Sequence, residues 1–403
     1  MDWIYIIVLI VKCIIITLGA TTIFAYFTLF ERKTLARMQN RIGPNRAGYI
    51  PLPGGRKLLN GFLQPVAEAG KLFFKEDVVP LMADKWVYIL APAFAVIPAI
   101  IIWATLPLGW WPGPWQDNWL QVADIDVGVL YILAVTSLGV YGLAIAGWSS
   151  NSKYSMLGGV RASAQVISYE LALGLAVLGV VMQAQSFRTS EIVAAQQGMW
   201  NIIPQILGFV IFLVASTAEV VRSPFDLVEA EQELVGGYNT EFGSMKFALF
   251  FMTEYIKLVA MNAVCAMLFL GGWTFPGLEI GGVVATGLNG ALGQMFGQAV
   301  FGIITLVVFL LKTFALSFFA VWIRATIPRT RYDQLMDLGW KVLLPLALVN
   351  IAIIAVTNVA FPDNTLAVAG VGFVAGIIVL AVVTSQTKSS KPKSQVTLVR
   401  KTS

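Results

Sequence analysis

The stretch VASTAEVVRSPFDLVEAEQELVGGYNTEFG, residues 214 to 243, carries Glu219, Asp226, Glu229, Glu231, Glu233 and Glu241, opposed only by Arg222. Six of the 22 acidic residues thus fall in one short segment of a chain that is 58% hydrophobic. Clustered carboxyls can take up and hand on protons when some of them are withdrawn from water, where a carboxyl is neutral or ionised according to hydration and nearby charge. Other ionisable groups stand inside long apolar runs: Glu170, Glu254, Lys257 and Lys312, with Lys12 near the end of the first run. A charge near the centre of a bilayer costs roughly 2.5–3.5 kcal/mol on insertion scales, so each of these needs a partner or a task. Glu254 and Lys257 are three apart and could pair on one helix face. Glu170 and Glu219 have no such local partner. Proton relay and passive pairing are both open readings of these glutamates.

The elements that must position them are membrane spans. Apolar windows of roughly 20 residues, enough to cross the hydrocarbon of a bilayer, recur along all 403 residues. Nine are read: 3–30, 86–107, 127–147, 162–183, 201–222, 247–271, 296–323, 341–360 and 365–385, forming an all-α polytopic bundle in one membrane domain, 1–386. The first run lacks a basic leader and a small-residue cleavage site, so it is read as a retained span. His is absent and the two cysteines, Cys13 and Cys265, stand alone, which argues against haem, iron–sulfur and zinc sites. No metal or flavin is expected on this chain, and any redox centre belongs to another.

Lysine and arginine sort the loops. Ten fall between Glu31 and Lys85, and further ones flank every second loop, whereas the opposite loops carry only Arg188. The bias places the N-terminus outside and the C-terminus in the cytoplasm. The acidic loop 223–246 then faces the cytoplasm and leads to Glu219, with Glu170 and Glu254 deeper, like an entrance and a path. A solvated acidic face is the alternative. In the first cytoplasmic loop, 31–85, Leu59, Phe62, Leu63, Val66, Ala69 and Phe73 recur at helical spacing, which predicts an amphipathic helix in the membrane interface, kinked at Pro65. A basic loop that only fixes topology is the alternative there. The tail 387–403 is basic and Ser/Thr-rich, and disorder near anionic headgroups is expected of it.

Five stretches carry a resemblance over nearly the whole length: ERK with QNRIGPNR (31–46), LQPVAEAGKLFFKED (63–77), GWSSNSKYSMLGGVRASAQVISYE (147–170), RSPFDLVEAEQELVGGYNTE (222–241) and RATIPRTRYDQLMDLGWK (324–341). The sequence resembles the H subunit of bacterial NADH:quinone oxidoreductase, respiratory complex I. The resemblance implies a subunit of the bacterial inner membrane that helps form the quinone chamber where the peripheral arm docks. It also implies that this subunit begins the buried charges leading to proton-pumping partners. By motif position Arg37, Arg41, Gln64, Ala67, Phe225, Asp226 and Arg324 would border the chamber or its mouth, and Glu170, Glu219, Glu229, Glu231, Glu233 and Glu254 would form the acidic path. The implied substrate is a quinone, ubiquinone or menaquinone. The implied partners are peripheral-arm, small and antiporter-like membrane subunits together with lipid, and no nucleic acid. Two departures are visible: about ten extra residues in the 47–61 segment, and a ninth span where eight are commonest. A stand-alone cation/proton antiporter and the related subunit of membrane-bound hydrogenases are the rival readings.

Overall fold

A computed structural model describes residues 3–46, 50–51, 57–58, 61–111, 118–227, 235–275, 291–361 and 365–389. The helices are α1 (Trp3–Met38), α2 (Gln64–Phe74), α3 (Lys85–Ile101), α4 (Gly128–Ser149), α5 (Lys153–Ala184), α6 (Thr189–Ala195), α7 (Ile206–Glu219), α8 (Ser244–Phe269), α9 (Ala291–Thr326), α10 (Tyr332–Asp337), α11 (Leu344–Ala360) and α12 (Thr365–Ser389). A π-helical turn, Leu338–Leu343, joins α10 to α11. The strand content described is one antiparallel ladder of two residues a side, Ile50–Pro51 with Lys57–Leu58.

Among the described residues seven helices are long and apolar enough to cross a membrane. The predicted spans 201–222 and 365–385 correspond to shorter apolar helices, Ile206–Glu219 and Ala367–Val382. Pro204 explains the first difference: lacking an N–H, it suits the approach to a helix but not its interior, and residues 201–205 wind as turns before α7 begins. Helix α1 runs on to Met38, past its window's end at 30, and α5 extends back to Lys153 where the apolar window opens at 162. At about 1.5 Å per residue α5 is roughly 48 Å long and overshoots a 30 Å hydrocarbon layer.

The bundle packs α3 on α4, α4 on α5, and α5 on both α7 and α11, while α8 rests against α3, α7 and α9. Tyr169, Leu173, Phe212, Ile256 and Phe269 lie in the main core. Helix α1 is peripheral. It touches α2, α8 and α9, and Ile4, Ile7, Ile14, Ile15 and Leu18 project outward as a lipid-facing flank would.

The helix predicted from the Leu59–Phe73 spacing exists as α2, opening at Gln64 with Leu59 outside the described residues, but Pro65 does not kink it. Proline occupies its first turn, where the missing N–H has no helical partner to lose, so it starts the helix instead of bending it. Val66, Phe73 and Phe74 stay exposed along its length. Gly61, just before it, has φ +78 and sits so close to the Pro44 carbonyl that a Cβ would come within 2.3 Å, which pins the start of α2 to the loop following α1.

The ninth span is packed, not appended. On α12, a Cβ at Gly372 would come within 2.4 Å of the Pro204 carbonyl oxygen, and one at Gly376 within 2.9 Å of Ile206. The two glycines four apart let α12 approach the start of α7 backbone to backbone, as small residues do between membrane helices. The tail expected to be disordered lies outside the described residues from 390 onward, and helix α12 covers its first three positions.

Gly372→Val should force α12 away from Pro204 and cost about 1–3 kcal/mol of overpacking, read as a lower thermal midpoint of the purified protein. Val374→Ala, on the exposed face of the same helix, is the control and should change it little. Equal midpoints for the two variants would contradict this packing.

Candidate functional site

The acidic segment begins where α7 ends. Val220 closes the helix, and Val221 then adopts φ 57, a left-handed conformation that costs a β-branched residue about 1–2 kcal/mol. The turn delivers Arg222 into the protein, where its side chain is only 7% exposed. Its Nε lies 3.7 Å from Glu254 Oε2 of α8, and its Nη2 lies 4.0 Å from Glu31 Oε2 of α1. The guanidinium also stacks 4.0 Å from the centroid of Tyr255, a favourable place for a desolvated cation. Glu31 in turn pairs with Arg324 of α9. One ionic cluster therefore joins α1, α8, α9 and the turn that ends α7.

One turn deeper lies a second pair. Lys257 Nζ of α8 stands 2.9 Å from Glu219 Oε1 of α7, and the Glu219 side chain is 1% exposed. The pairing expected between Glu254 and Lys257 on one helix face is not the one formed: each reaches across to α7 or the turn after it. Glu219 with Lys257 and Arg222 with Glu254 make two rungs in antiparallel register. The reason is supply of charge, since α7 and its turn present an acid and a base three residues apart, as α8 does, with the order reversed in space. Tyr238 donates its hydroxyl to Glu254 Oε1 at 3.2 Å. A cavity of about 40 Å³ runs between α3, α4, α7 and α8, with Glu219, Glu254, Lys257, Tyr238, Thr253 and Thr136 in its wall. That volume holds on the order of three waters.

Beyond this cavity stands Glu170 of α5. Ser137 of α4, next to Thr136, donates its hydroxyl to Glu170 Oε1, and Glu170 is close enough to feel the charges of Glu219 and Lys257. Thr136 also borders a smaller cavity of about 10 Å³ whose other walls, among them Val129, Leu173, Phe212 and Val264, are apolar. Lys312 takes no part in this run. Its ammonium donates to the carbonyls of Leu270, Gly272 and Thr274 at 2.7, 2.9 and 2.5 Å, the turn after α8, and lies 4.6 Å from the Trp200 ring.

The residues assigned to a chamber are partly gathered. Arg324 is in the ionic cluster. Phe225 and Asp226 are buried just past Arg222, Asp226 pairing with Arg329 at 3.4 Å. Gln64 donates to Glu68 at 3.1 Å, Glu68 pairs with Arg32 of α1, and Ala67 is exposed beside them on α2. Arg37 and Arg41 are exposed at the end of α1, with Arg41 Nε on Gln39 at 2.7 Å. Glu229, Glu231 and Glu233 lie outside the described residues.

Sequence reasoning missed four participants. Glu31 was placed in a loop, yet α1 continues unbroken to Met38 and buries it; the uninterrupted helical run through ERKTLARM was the available signal. Arg222 and Tyr255 gave no signal by spacing. Gln165 of α5, fully buried, donates from one amide nitrogen to Ala218 O at 2.8 Å and Phe225 O at 2.9 Å, holding the end of α7 to the turn that carries Phe225.

Comparison with known proteins gives one consistent answer. A family model described as NADH dehydrogenase matches residues 11–355. An H subunit of NADH-quinone oxidoreductase from Geobacter metallireducens, the one numbered 1 in that organism, is 46% identical over 346 residues, covering 85% of this chain and 94% of the relative. The H subunit of the same enzyme from Rhodospirillum rubrum is 44% identical, covering 88% and 95%, and that from Frankia casuarinae is 43% identical, covering 91% and 78%.

Arg222→Ala would strand Glu31 and Glu254 with reduced compensation, and breaking a buried pair typically costs about 3–5 kcal/mol. The expected result is loss of this chain from the purified assembly, with Arg222→Lys retaining more of it because the charge survives. Retention of Arg222→Ala at parental levels would show that the cluster does not depend on its guanidinium.

Proposed function

The chain belongs to the family of NADH-quinone oxidoreductase H subunits, and on that premise we propose that it forms part of a quinone-headgroup chamber and couples quinone reduction to proton movement through its buried glutamates. It is a multi-pass membrane subunit of that enzyme and works beside the enzyme's other subunits. Its relatives lend no support to the antiporter or hydrogenase readings.

The observation that carries the coupling reading is a row of buried and half-buried charged and hydroxyl groups: Arg324, Glu31, Arg222 and Glu254 in one ionic cluster, Lys257 and Glu219 paired on the cavity that Glu254 also lines, and Ser137 on Glu170 next to the Thr136 wall of that cavity. Bringing so many ionisable groups into the interior of a membrane bundle is costly, and such residues mark ion or proton pathways. On this reading Glu229, Glu231 and Glu233 collect protons in the loop ahead of Glu219. Arg37, Arg41, Gln64, Ala67, Phe225, Asp226 and Arg324 border the chamber, with α2 framing the opening through which a quinone, ubiquinone or menaquinone, arrives from the lipid. The electron reaches the quinone from a centre in a neighbouring subunit. What this chain supplies is a preorganised charged surround that responds when the quinone changes charge. The peripheral-arm subunits meet the face bearing the 31–85 loop, the small and antiporter-like membrane subunits lie alongside, and the Lys/Arg asymmetry sets the N-terminus outside and the C-terminus in the cytoplasm of a bacterial inner membrane.

Two variants test the two halves of the reading in membrane vesicles. Ala67→Phe adds bulk at the opening and should depress quinone reduction roughly tenfold, a loss of about 1.4 kcal/mol, while ferricyanide reduction by the peripheral arm stays near parental. Glu170→Gln keeps shape but cannot ionise, and should lose most NADH-driven proton uptake together with coupled quinone reduction. An assembled Glu170→Gln complex that pumps like the parent would remove the path, and parental quinone kinetics in Ala67→Phe would remove the opening.

A further inference from the structure

Glu219 is a buried carboxyl and Glu170 a half-buried one, and their partners differ in kind. Glu219 faces an ammonium, Lys257 Nζ at 2.9 Å. An ammonium offers three donors and no acceptor, so it favours the carboxylate form, whose charge it neutralises; a Glu219 acid could carry its proton only on Oε2, away from Lys257, and would forfeit that attraction. Glu170 faces the hydroxyl of Ser137, whose Oγ also lies 2.9 Å from Leu133 O. A hydroxyl is both donor and acceptor. When Glu170 is a carboxylate, Ser137 turns its single hydrogen to it; when Glu170 is an acid, it donates to Ser137 Oγ and Ser137 donates to Leu133 O. Either form of Glu170 is fully served.

Charge counting agrees. The cations of the cluster, Arg324, Arg222 and Lys257, stand against Glu31, Glu254 and Glu219, and among the described residues no cation lies within ion-pair distance of Glu170. The charged groups near Lys257 are Glu219 across the helix interface, Glu170 at longer range and Glu254 one turn back on its own helix.

Resting on the path reading above, we propose that Lys257 is a working member of that path and divides labour between two carboxyls: it holds Glu219 as a fixed anion, so that Glu170 is the carboxyl that loads and unloads the proton. Loading forms the O–H bond of the Glu170 acid and breaks one O–H bond of a hydronium that passes the Thr136 wall of the cavity to reach Ser137 and Glu170, leaving water; unloading reverses this, and no electron moves. The fixed negative charge of Glu219 draws the hydronium to the cavity without capturing its proton.

The test uses the assembled complex in vesicles, with ferricyanide reduction as the check on assembly. Glu219→Gln and Lys257→Met each leave one buried charge unpaired, and each should lower coupled quinone reduction roughly tenfold. The double variant Glu219→Gln/Lys257→Met leaves no charge unpaired and should recover assembly, read by ferricyanide reduction, while coupled quinone reduction stays below the parent because the anion that draws the hydronium is gone. A carboxyl band in the infrared difference spectrum that is lost in Glu219→Gln but kept in Glu170→Gln would mean that Glu219 itself exchanges protons, and the proposed division is wrong although the path stands. Infrared difference spectra of the complex, oxidised minus reduced, give a readout that does not depend on the double assembling. A protonated-carboxyl C=O band is expected in the parent and should vanish in Glu170→Gln, which breaks no ion pair. A band that persists in Glu170→Gln overturns the proposal.

Discussion

A guanidinium that has left water must be neutralised where it stands, and the interior of this bundle is arranged around that requirement at Arg222. Its carboxylate partners come from α1 and α8, and Arg324 of α9 shares Glu31. Removing any one group would leave a charge in a medium that cannot solvate it. The left-handed Val221 is sustained by the same pairs: nothing in a valine favours φ 57, and the ion pairs formed by the next residue offset the cost. Helix α7 ends where it does because Arg222 must turn inward, and that ending leaves Glu219 in the last turn, one rung below.

Close backbone contacts set the frame for these pairs. Gly147 of α4 and Gly159 of α5 meet so tightly that a Cβ on either would reach the other's Cα at 2.9–3.1 Å, which brings Ser137 and Glu170, on the same two helices, into contact farther along. Tyr88 of α3 donates to Glu241 O at 2.7 Å and stacks on Phe242 at 4.2 Å, fastening the far end of the acidic loop as Gln165 fastens its near end. Both anchors bond to backbone carbonyls, so they fix the course of the chain whatever the loop's side chains do.

The spans were legible because the hydrocarbon layer imposes a length, and all nine apolar windows contain a helix. What windows cannot show is where a helix stops outside the membrane, hence Glu31 read as loop and α5 begun too late. Pro65 was misread because a proline's effect depends on its position in the helix, which periodicity alone does not give. The inward glutamates were legible as misfits among apolar residues. Their partners were not, because Glu219 and Lys257 are 38 positions apart in sequence and meet only through the antiparallel register of α7 and α8. Arg222 looked like a lone counter-charge to an acidic loop and turned out to be committed to α1 and α8.

The apolar wall beyond Thr136 shapes the electric field. A membrane voltage falls mainly across the layer of lowest polarisability. In this subunit the inner part of the bundle is lined with ions, hydroxyls and room for water, while the region around Val129, Leu173, Phe212 and Val264 is hydrocarbon-like. A full crossing at 100 mV is worth about 2.3 kcal/mol per charge, and a proton passing from the cavity beside Glu219 to Glu170 would traverse only a small share of that drop. On the proposed reading, events within the polar column would be largely insulated from the voltage, which would bear instead on whatever carries charge across the dry layer.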